Sequence, residues 1–158
     1  MRRAVLALTL LACGQAGPET GVMEGYPAIP LAGELINGDS WSLVGQKGRP
    51  TLVVFWASWC GPCIQEIPHL NALKEEYGDR LELVGVNMGE ALTKVEQTRL
   101  EHEMSYETIL DEMGKISSAW RVRKLPLMLV MDKEGRIRFR GIGSETQLKT
   151  LVDSLVKA

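Results

Sequence analysis

The chain has 158 residues, of which 18 are basic and 20 are acidic, and its formal net charge is −2. This length predicts a single domain with one hydrophobic core, and the slightly acidic balance argues against a nucleic-acid partner. No internal repeat is visible, and Gly141-Ile142-Gly143 lacks the third glycine that a dinucleotide site would need.

The first residues of the chain have the features of an export signal. Two arginines precede a short apolar run, residues 4–12, which is too short to remain as a membrane span. Residues 10–13 read Leu-Leu-Ala-Cys and resemble a bacterial lipoprotein cleavage box. We therefore expect a signal peptide at residues 1–12 and a lipid on Cys13. Signal removal without lipid attachment, or a signal that is not cleaved, are the alternatives.

The segment that follows has no hydrophobic periodicity. Residues 13–25 are rich in glycine, and this composition predicts a flexible tether. The remaining residues, 26–158, form the predicted domain. We expect this domain to be exported and held by the lipid next to a membrane of the bacterial cell envelope, on its periplasmic or extracellular side.

Strands and helices are predicted to alternate along the domain. Asn37-Gly38 between two short apolar runs indicates a β-hairpin, and residues 51–57 are predicted to be a strand that is buried on both faces. Apolar residues then recur at helical spacing from Pro62 until Gly78. The other predicted elements are strands at 81–87, 108–110, 127–131 and 136–140, and helices at 93–102, 114–120 and 145–156. This order predicts a three-layer α/β sandwich around a mixed sheet.

Two cysteines lie where the buried strand leads into the first long helix. Cys60-Gly61-Pro62-Cys63 has the C-x-x-C spacing of a reversible disulfide. If the helix begins near Cys60, the helix dipole and unpaired N–H groups favour its thiolate, so Cys60 is the expected nucleophile. Cys63, one turn further on, is expected to be more buried and to resolve a mixed disulfide.

Other uses of the spacing are less compatible with the sequence. A structural zinc site needs four ligands, but there is no second C-x-x-C pair, and His69 and His102 are far apart. Ile64 follows Cys63, so the C-x-x-C-H motif of haem attachment is absent. A purely structural disulfide remains an alternative, although so short a loop constrains the unfolded chain little.

The residues around the cysteines resemble a known family. Residues 55–63, Phe-Trp-Ala-Ser-Trp-Cys-Gly-Pro-Cys, are similar to the active site of the thioredoxin superfamily. Glu66-Ile67-Pro68 narrows the resemblance to the bacterial envelope thiol-disulfide oxidoreductases, the TlpA- and ResA-like branch related to the cytochrome c maturation reductases. The resemblance extends from about Tyr26 to the end of the chain. It implies a thioredoxin-like fold with an N-terminal β-hairpin extension.

The resemblance also implies roles for individual residues. Pro126 would follow a cis peptide bond near Cys60, and the backbone of Leu125 would pair with an extended substrate segment. Glu66 would carry protons to and from Cys63, with a solvated helix glutamate as the alternative. Trp59, Gly61 and Pro62 would contact the substrate. The chain departs from the usual pattern at Lys124 and Leu127, where the family has glycine and threonine.

The implied activity is that of an exported thiol:disulfide oxidoreductase. Gly61-Pro62 matches the reducing members, so we expect reduction of a disulfide-bearing protein substrate, with a membrane-embedded or envelope thiol donor restoring the pair. No cofactor or metal is expected, because the sulfurs carry the electrons. The alternatives are a peroxiredoxin-like peroxidase, for which Thr51 is too far upstream of Cys60 to activate peroxide, and a non-catalytic binding module.

Three arginines near the end of the domain alternate with apolar residues. Arg136, Arg138 and Arg140 share one predicted strand face, with Ile137 and Phe139 on the other. We expect a solvated face, since period-two alternation is typical of a half-exposed strand. Attraction to anionic lipid head groups is the alternative.

Overall fold

The structure is a computed structural model and describes residues 19–158, so the predicted signal peptide, Cys13 and the first part of the predicted tether lie outside the described residues. The strands are β1 (Ala32–Glu34), β2 (Ser40–Ser42), β3 (Thr51–Trp56), β4 (Glu82–Met88), β5 (Glu107–Asp111), β6 (Leu127–Met131) and β7 (Ile137–Gly141). The α-helices are α1 (Gly61–Tyr77), α2 (Leu92–Glu101), α3 (Lys115–Ala119) and α4 (Glu145–Lys157). Among these residues no helix is long and apolar enough to cross a membrane.

Five strands form the central sheet, in the order β5-β4-β3-β6-β7. β3 runs parallel to β4 and antiparallel to β6, β4 pairs with β5 in parallel, and β6 pairs with β7 in antiparallel. Every residue of β3 is buried, as a strand with neighbours on both edges and layers on both faces requires. The sheet is therefore mixed, as the sequence predicted.

Apolar side chains cover both faces of this sheet. On one face α1, α2 and α4 contribute to a core that includes Ile67, Leu70, Val95, Leu148 and Val152. On the opposite face the β1–β2 hairpin and α3 cover a second core that includes Trp41, Phe55, Ile109 and Trp120. Helices, sheet and hairpin therefore form the three layers that the sequence predicted.

The hairpin is attached to the edge of the sheet at β5. The Ile36 amide donates to the Thr108 carbonyl over 3.0 Å, and Leu35 forms an isolated bridge with Ile109. The turn needs Gly38, whose φ is +88°. Gly33 is needed for the close approach, because a Cβ there would lie 2.4 Å from Ile109 Cγ2. The hairpin thus covers a strand edge that would otherwise be open.

Part of the predicted tether contacts the domain. The Gly21 amide donates to the Pro27 carbonyl over 2.8 Å, and the Gly25 amide donates to the Ile137 carbonyl over 2.8 Å. The Arg136 guanidinium also donates to the Gly25 carbonyl over 2.6 Å. Edge strand β7 offers free backbone groups, and these pair with the incoming chain. Among residues 19–158, hydrogen-bonded contacts are therefore already present at Gly21, within the segment predicted to be a tether.

Candidate active site

The C-x-x-C motif lies at the junction of β3 and α1. After β3 the chain turns, the Cys60 amide donates to the Ala57 carbonyl over 3.1 Å, and α1 begins at Gly61. Cys60 is the N-cap residue, with extended backbone dihedrals, and Pro62 lies in the first turn, where its missing N–H costs no helical hydrogen bond. The local sequence therefore starts the helix at the first cysteine.

Cys60 and Cys63 form a disulfide. The S–S distance is 2.08 Å and the Cα atoms are 5.2 Å apart. The Cys63 amide points at Cys60 Sγ over 3.2 Å, so an N–H at the start of the helix meets this sulfur. In the reduced protein the same N–H and the helix dipole would favour a thiolate on Cys60. The two residues are 5% and 4% exposed, so the expected difference in burial is not seen.

The loop before β6 borders the redox loop. β6 is antiparallel to β3 and pairs Leu127 with Phe55, so the start of β6 lies beside the end of β3. The Leu125–Pro126 peptide bond is cis, which is the isomer that the resemblance implied. Pro126 is buried, and Leu125 packs against both cores, one of which contains the two cysteines. The fold therefore places the cis-proline loop at the end of the sheet where β3 leads into the redox loop, and the contact of Pro126 with Cys60 remains a prediction.

The exposed surface around the disulfide includes the other predicted contact residues. Trp59 is 70% exposed, although the nearby Trp56 is buried in the core. Gly61 and Pro62 are also exposed, at the beginning of α1. These three residues are accessible to a partner, and their contact with a substrate remains a prediction.

Glu66 lies on α1, three residues after Cys63, and is half-buried. One of its carboxylate oxygens is 3.4 Å from His69 Nδ1, and His69 Nε2 is 3.6 Å from a carboxylate oxygen of Glu145 at the start of α4. The carboxylate is thus linked to a histidine in this oxidised state. Its role as a proton carrier for Cys63 remains a prediction.

A second carboxylate near the motif was not found from the sequence. Glu90, just after β4, accepts the Ser58 amide over 2.7 Å and the Asn87 side-chain amide over 2.8 Å, and it also accepts the Ser58 hydroxyl. Burial alone would raise the pKa of Glu90, but the hydrogen bonds from Ser58 and Asn87 outweigh burial and lower it. Glu90 therefore anchors the turn that leads to Cys60. The available signal was Asn87, a polar residue directly after the run of residues 83–86, which has no polar side chain.

A cation supports the loop on the other side of the disulfide. The Arg140 guanidinium, from β7, donates to the carbonyls of Trp120 over 2.8 Å and Arg121 over 3.3 Å. Arg121 has a φ of +52°, which is uncommon for a residue with a side chain. Burial lowers the pKa of Arg140. The alternation predicted a solvated face for all three arginines, but Arg140 is half-buried and holds the backbone of this loop.

These features agree with a comparison against known families. The model of the AhpC/TSA family matches residues 25–140, which include the disulfide and the cis-proline loop. The chain belongs to the AhpC/TSA family. Within the family it has the thioredoxin-like fold that the sequence resemblance implied.

Two curated relatives of this AhpC/TSA protein come from Bacillus subtilis. The thioredoxin-like protein YneN is 32% identical over 132 residues, covering 82% of this chain and 77% of YneN. The thiol-disulfide oxidoreductase ResA is 30% identical over 123 residues, covering 77% of this chain and 68% of ResA. The branch of the family named from the C-x-x-C-x-x-E-x-P pattern is thereby confirmed.

A solved structure with the same fold comes from Chlorobium tepidum, a protein described as a thiol:disulfide interchange protein DsbE. It aligns with a TM-score of 0.80 at 21% identity, covering 86% of this chain and 99% of that chain. The likeness therefore extends over most of the AhpC/TSA protein. It confirms the thioredoxin-like fold.

Proposed function

We propose that the protein is an exported thiol:disulfide oxidoreductase that reduces disulfides in other proteins through Cys60 and Cys63. The observation that carries the proposal is the Cys60–Cys63 disulfide at the first turn of α1, beside a cis-proline loop. The sulfur of the N-cap residue meets a helix N–H, so Cys60 has the environment of a low-pKa nucleophile. The resemblance to ResA supports the same chemistry.

The proposed reaction begins with the reduced protein. The Cys60 thiolate attacks one sulfur of a substrate disulfide, the substrate S–S bond breaks, and a mixed disulfide forms as one substrate thiolate leaves. Cys63 loses its proton and attacks the Cys60 sulfur, which releases the second substrate thiolate and forms the Cys60–Cys63 disulfide. Two electrons have then passed to the substrate, and the two leaving thiolates take up protons.

Glu66 has a proposed part in the second step. Its carboxylate, in the helical turn after Cys63, would accept the Cys63 proton directly or through a water molecule and return it to solvent or to a leaving thiolate. A thiol donor in the membrane or envelope would then reduce the oxidised pair. The reducing direction is supported by Gly61-Pro62, the dipeptide of thioredoxin, whose reduction potential is about −270 mV.

The location is proposed from the N-terminal sequence. A signal peptide at residues 1–12 and a lipid on Cys13 would hold the domain at a membrane of the bacterial envelope. Substrates and donor would then be envelope proteins, and apocytochrome c is a narrower proposal within that class. Metabolic labelling with a palmitate analogue tests the anchor, because label should be lost in Cys13→Ala and kept in Cys60→Ser.

The peroxidase alternative has less support at the site. Thr51 begins β3, whereas Cys60 follows its other end. Six strand residues span roughly 20 Å, too far for this threonine to assist a peroxide at Cys60. In the binding-module alternative the loops around the disulfide bind a partner without any redox chemistry. The cysteine variants described below test this alternative as well.

The test is a trapping experiment with the full chain in its own cell. Cys63→Ser cannot resolve the first intermediate, so partners should accumulate as mixed disulfides on Cys60 that dithiothreitol releases. The matched control is Cys60→Ser/Cys63→Ser, which should trap none. The wild-type protein should also reduce an insulin disulfide. The proposal fails if Cys63→Ser traps nothing and the wild type shows no thiol exchange. Peroxide consumption that disappears in Cys60→Ser would favour the peroxidase instead.

A further inference from the structure

Positive charge is concentrated in the part of the chain that leads to the cis-proline. Residues 113–131 contain no aspartate or glutamate, although acidic residues outnumber basic ones in the whole chain. The cations in this stretch are Lys115, Arg121, Arg123 and Lys124. Two of them, Arg123 and Lys124, come just before Leu125 and Pro126, and we call this pair the loop cations.

The loop cations are exposed and have no partner of opposite charge in residues 19–158. By contrast, Lys149 is paired with Glu76, and Arg138 lies 3.7 Å from Asp132. Arg121 differs from the loop cations, because it borders a cavity formed with residues 20–23 of the N-terminal segment. The loop cations are therefore the positive charges on this loop that a partner at the disulfide can meet.

The backbone that carries these cations is held in place. Arg140 donates to the carbonyls of Trp120 and Arg121, and the Val122 amide donates to the Ser117 carbonyl over 2.9 Å. Val122 and Leu125 pack against the core at either end of the pair. Val122 and Leu125 fill the positions that face the core, so Arg123 and Lys124 are left in solvent. Because this backbone is already ordered, a partner that binds the two cations does not have to order a loose loop.

From these observations we infer that the loop cations select protein substrates whose disulfide is flanked by aspartate or glutamate, an inference that rests on the proposed reductase function. The end of β3 that leads to Cys60 pairs with the start of β6, and that start follows Lys124 by three residues. We therefore expect the residues next to a substrate cysteine to pass close to Arg123 and Lys124. Complementary charge at that position speeds encounter and fixes the orientation of the partner. Anionic lipid is the less favoured ligand, because the cations directly precede the cis Leu125–Pro126 bond, on the loop that leads into the strand paired with β3.

The test uses a pair of synthetic peptides with the same disulfide loop, flanked either by aspartates or by asparagines. Reduced full-length protein is mixed with each peptide, and the second-order rate constant is followed by tryptophan fluorescence. We expect the acidic peptide to react faster, on the order of tenfold at low ionic strength. This ratio should approach one in high salt, since a Debye length of about 3 Å at 1 M screens exposed charges.

Variants assign the effect to the loop. In Arg123→Gln/Lys124→Gln the ratio between the two peptides should fall to about one. A change in the reactivity of Cys60 affects both peptides equally, so it cancels in this ratio. The matched control, Lys47→Gln/Lys157→Gln, removes the same charge from exposed positions away from the disulfide and should keep the wild-type ratio.

Each outcome decides the inference. Equal rates for the two wild-type peptides overturn it, as does a preference that survives in Arg123→Gln/Lys124→Gln or is lost in the control. A protein that reduces neither peptide refutes the proposed function, which is a different result from equal reduction of both. Vesicles of phosphatidylglycerol provide the last arm. Binding that depends on the loop cations, without any peptide preference, would assign them to lipid and overturn the inference.

Discussion

The loop that follows β3 and the loop that precedes β6 are supported in the same way, by side chains of opposite charge. Residues 57–60 follow β3, and Glu90, two residues after the end of neighbouring strand β4, accepts hydrogen bonds from Ser58. Residues 120–126 precede β6, and Arg140, from neighbouring strand β7, donates to two of their carbonyls. In each case a charged side chain from the next strand outward fixes backbone that the sheet itself does not pair.

The loops differ in what they present to a partner. The first exposes the indole of Trp59, and the second exposes the guanidinium of Arg123 and the ammonium of Lys124. The first loop is therefore apolar at its surface, and the second is cationic. The two anchors, Glu90 and Arg140, bind backbone, whereas the exposed side chains of the loops are free to meet a partner. The stability of the loops and their choice of substrate can therefore be tested with separate substitutions.

The largest effect is expected from removing the anchor of the first loop. Glu90→Ala deprives the Ser58 N–H, the Ser58 hydroxyl and the buried Asn87 amide of their acceptor. We expect the free energy of unfolding of the oxidised protein to fall by about 2 kcal/mol, since bonds to a charged group are the stronger ones and Glu90 is only half-buried. Urea denaturation measures it.

The control for this variant is Glu112→Ala, which removes an exposed carboxylate from the turn after β5. Its effect should stay within about 0.5 kcal/mol, as for most surface substitutions. If Glu90→Ala were equally mild, the first loop would not depend on its anchor, and the symmetry between the loops would be broken.

The second loop should lose less when its anchor is removed. Arg140→Met keeps an unbranched stem but gives up the two hydrogen bonds to the loop carbonyls, one of which is long. It also removes a buried guanidinium nitrogen that has no partner among residues 19–158, which offsets part of the loss. We expect a decrease of about 1 kcal/mol in the free energy of unfolding.

Arg138→Met is the matched control on the same strand. Arg138 is exposed, and its ion pair with Asp132 is long, at 3.7 Å, so its removal should cost little. Amide hydrogen exchange gives a second readout. Exchange at Val122 should become faster in Arg140→Met and should not change in Arg138→Met. Uniform acceleration over the whole domain would indicate general destabilisation instead of a local anchor.

The contacts of the two anchors could not be read from the hydrophobic pattern of the sequence, whereas several strands, helices and turns could. Strand β3, helix α1 and the Asn37-Gly38 turn depend on local patterns of period, cap and turn residues, and they form as predicted. Glu90 and Ser58 are 32 positions apart, and Arg140 and Trp120 are 20 apart. Such pairs depend on which strands become neighbours in the sheet. The spacing of apolar residues predicts that a strand forms, but it does not predict the neighbours of that strand.

The contacts of residues 21–25 with the domain could not be predicted for a related reason. Residues 21–25 meet β7 mainly through backbone groups, for example from Gly25 to Ile137. Backbone pairing leaves no periodic side-chain pattern, so the glycine-rich composition indicated a tether. The alternating arginines of β7 were similarly ambiguous, because alternation cannot show that Arg140 reaches a loop at the sheet's end.

A smaller effect on stability is expected when the pH is lowered, and it should differ between the two anchors, Glu90 and Arg140. The pKa of Glu90 is lowered from 4.5 by its hydrogen bonds from Ser58 and Asn87, which outweigh burial. A carboxyl with a depressed pKa stabilises the fold above the unfolded-state pKa and loses that contribution as pH falls through the folded-state value. The stability difference between wild type and Glu90→Gln, measured by urea denaturation at each pH, should therefore shrink as the pH falls below 4.5.

The same measurement on Arg140→Met provides the contrast. Arg140 stays charged throughout the acidic range, even though burial lowers its pKa. Its difference from wild type should therefore be constant from neutral pH to pH 3. A difference for Arg140→Met that also shrank in acid would mean that the second loop depends on a carboxylate as well.

The smallest change in stability is expected from Trp59→Ala, on the recognition side of the first loop. The indole is 70% exposed, so little apolar area returns to water on unfolding and the free energy of unfolding should change by less than about 0.5 kcal/mol. Its effect belongs to binding: reduction of a peptide with leucine beside the cysteine should slow by roughly threefold, because apolar contact with the ring is lost. The preference for the aspartate-flanked over the asparagine-flanked peptide should not change, since the loop cations are intact. If Trp59→Ala removed that preference too, the two loops would act as one recognition surface, and the division between an apolar and a cationic side would be wrong.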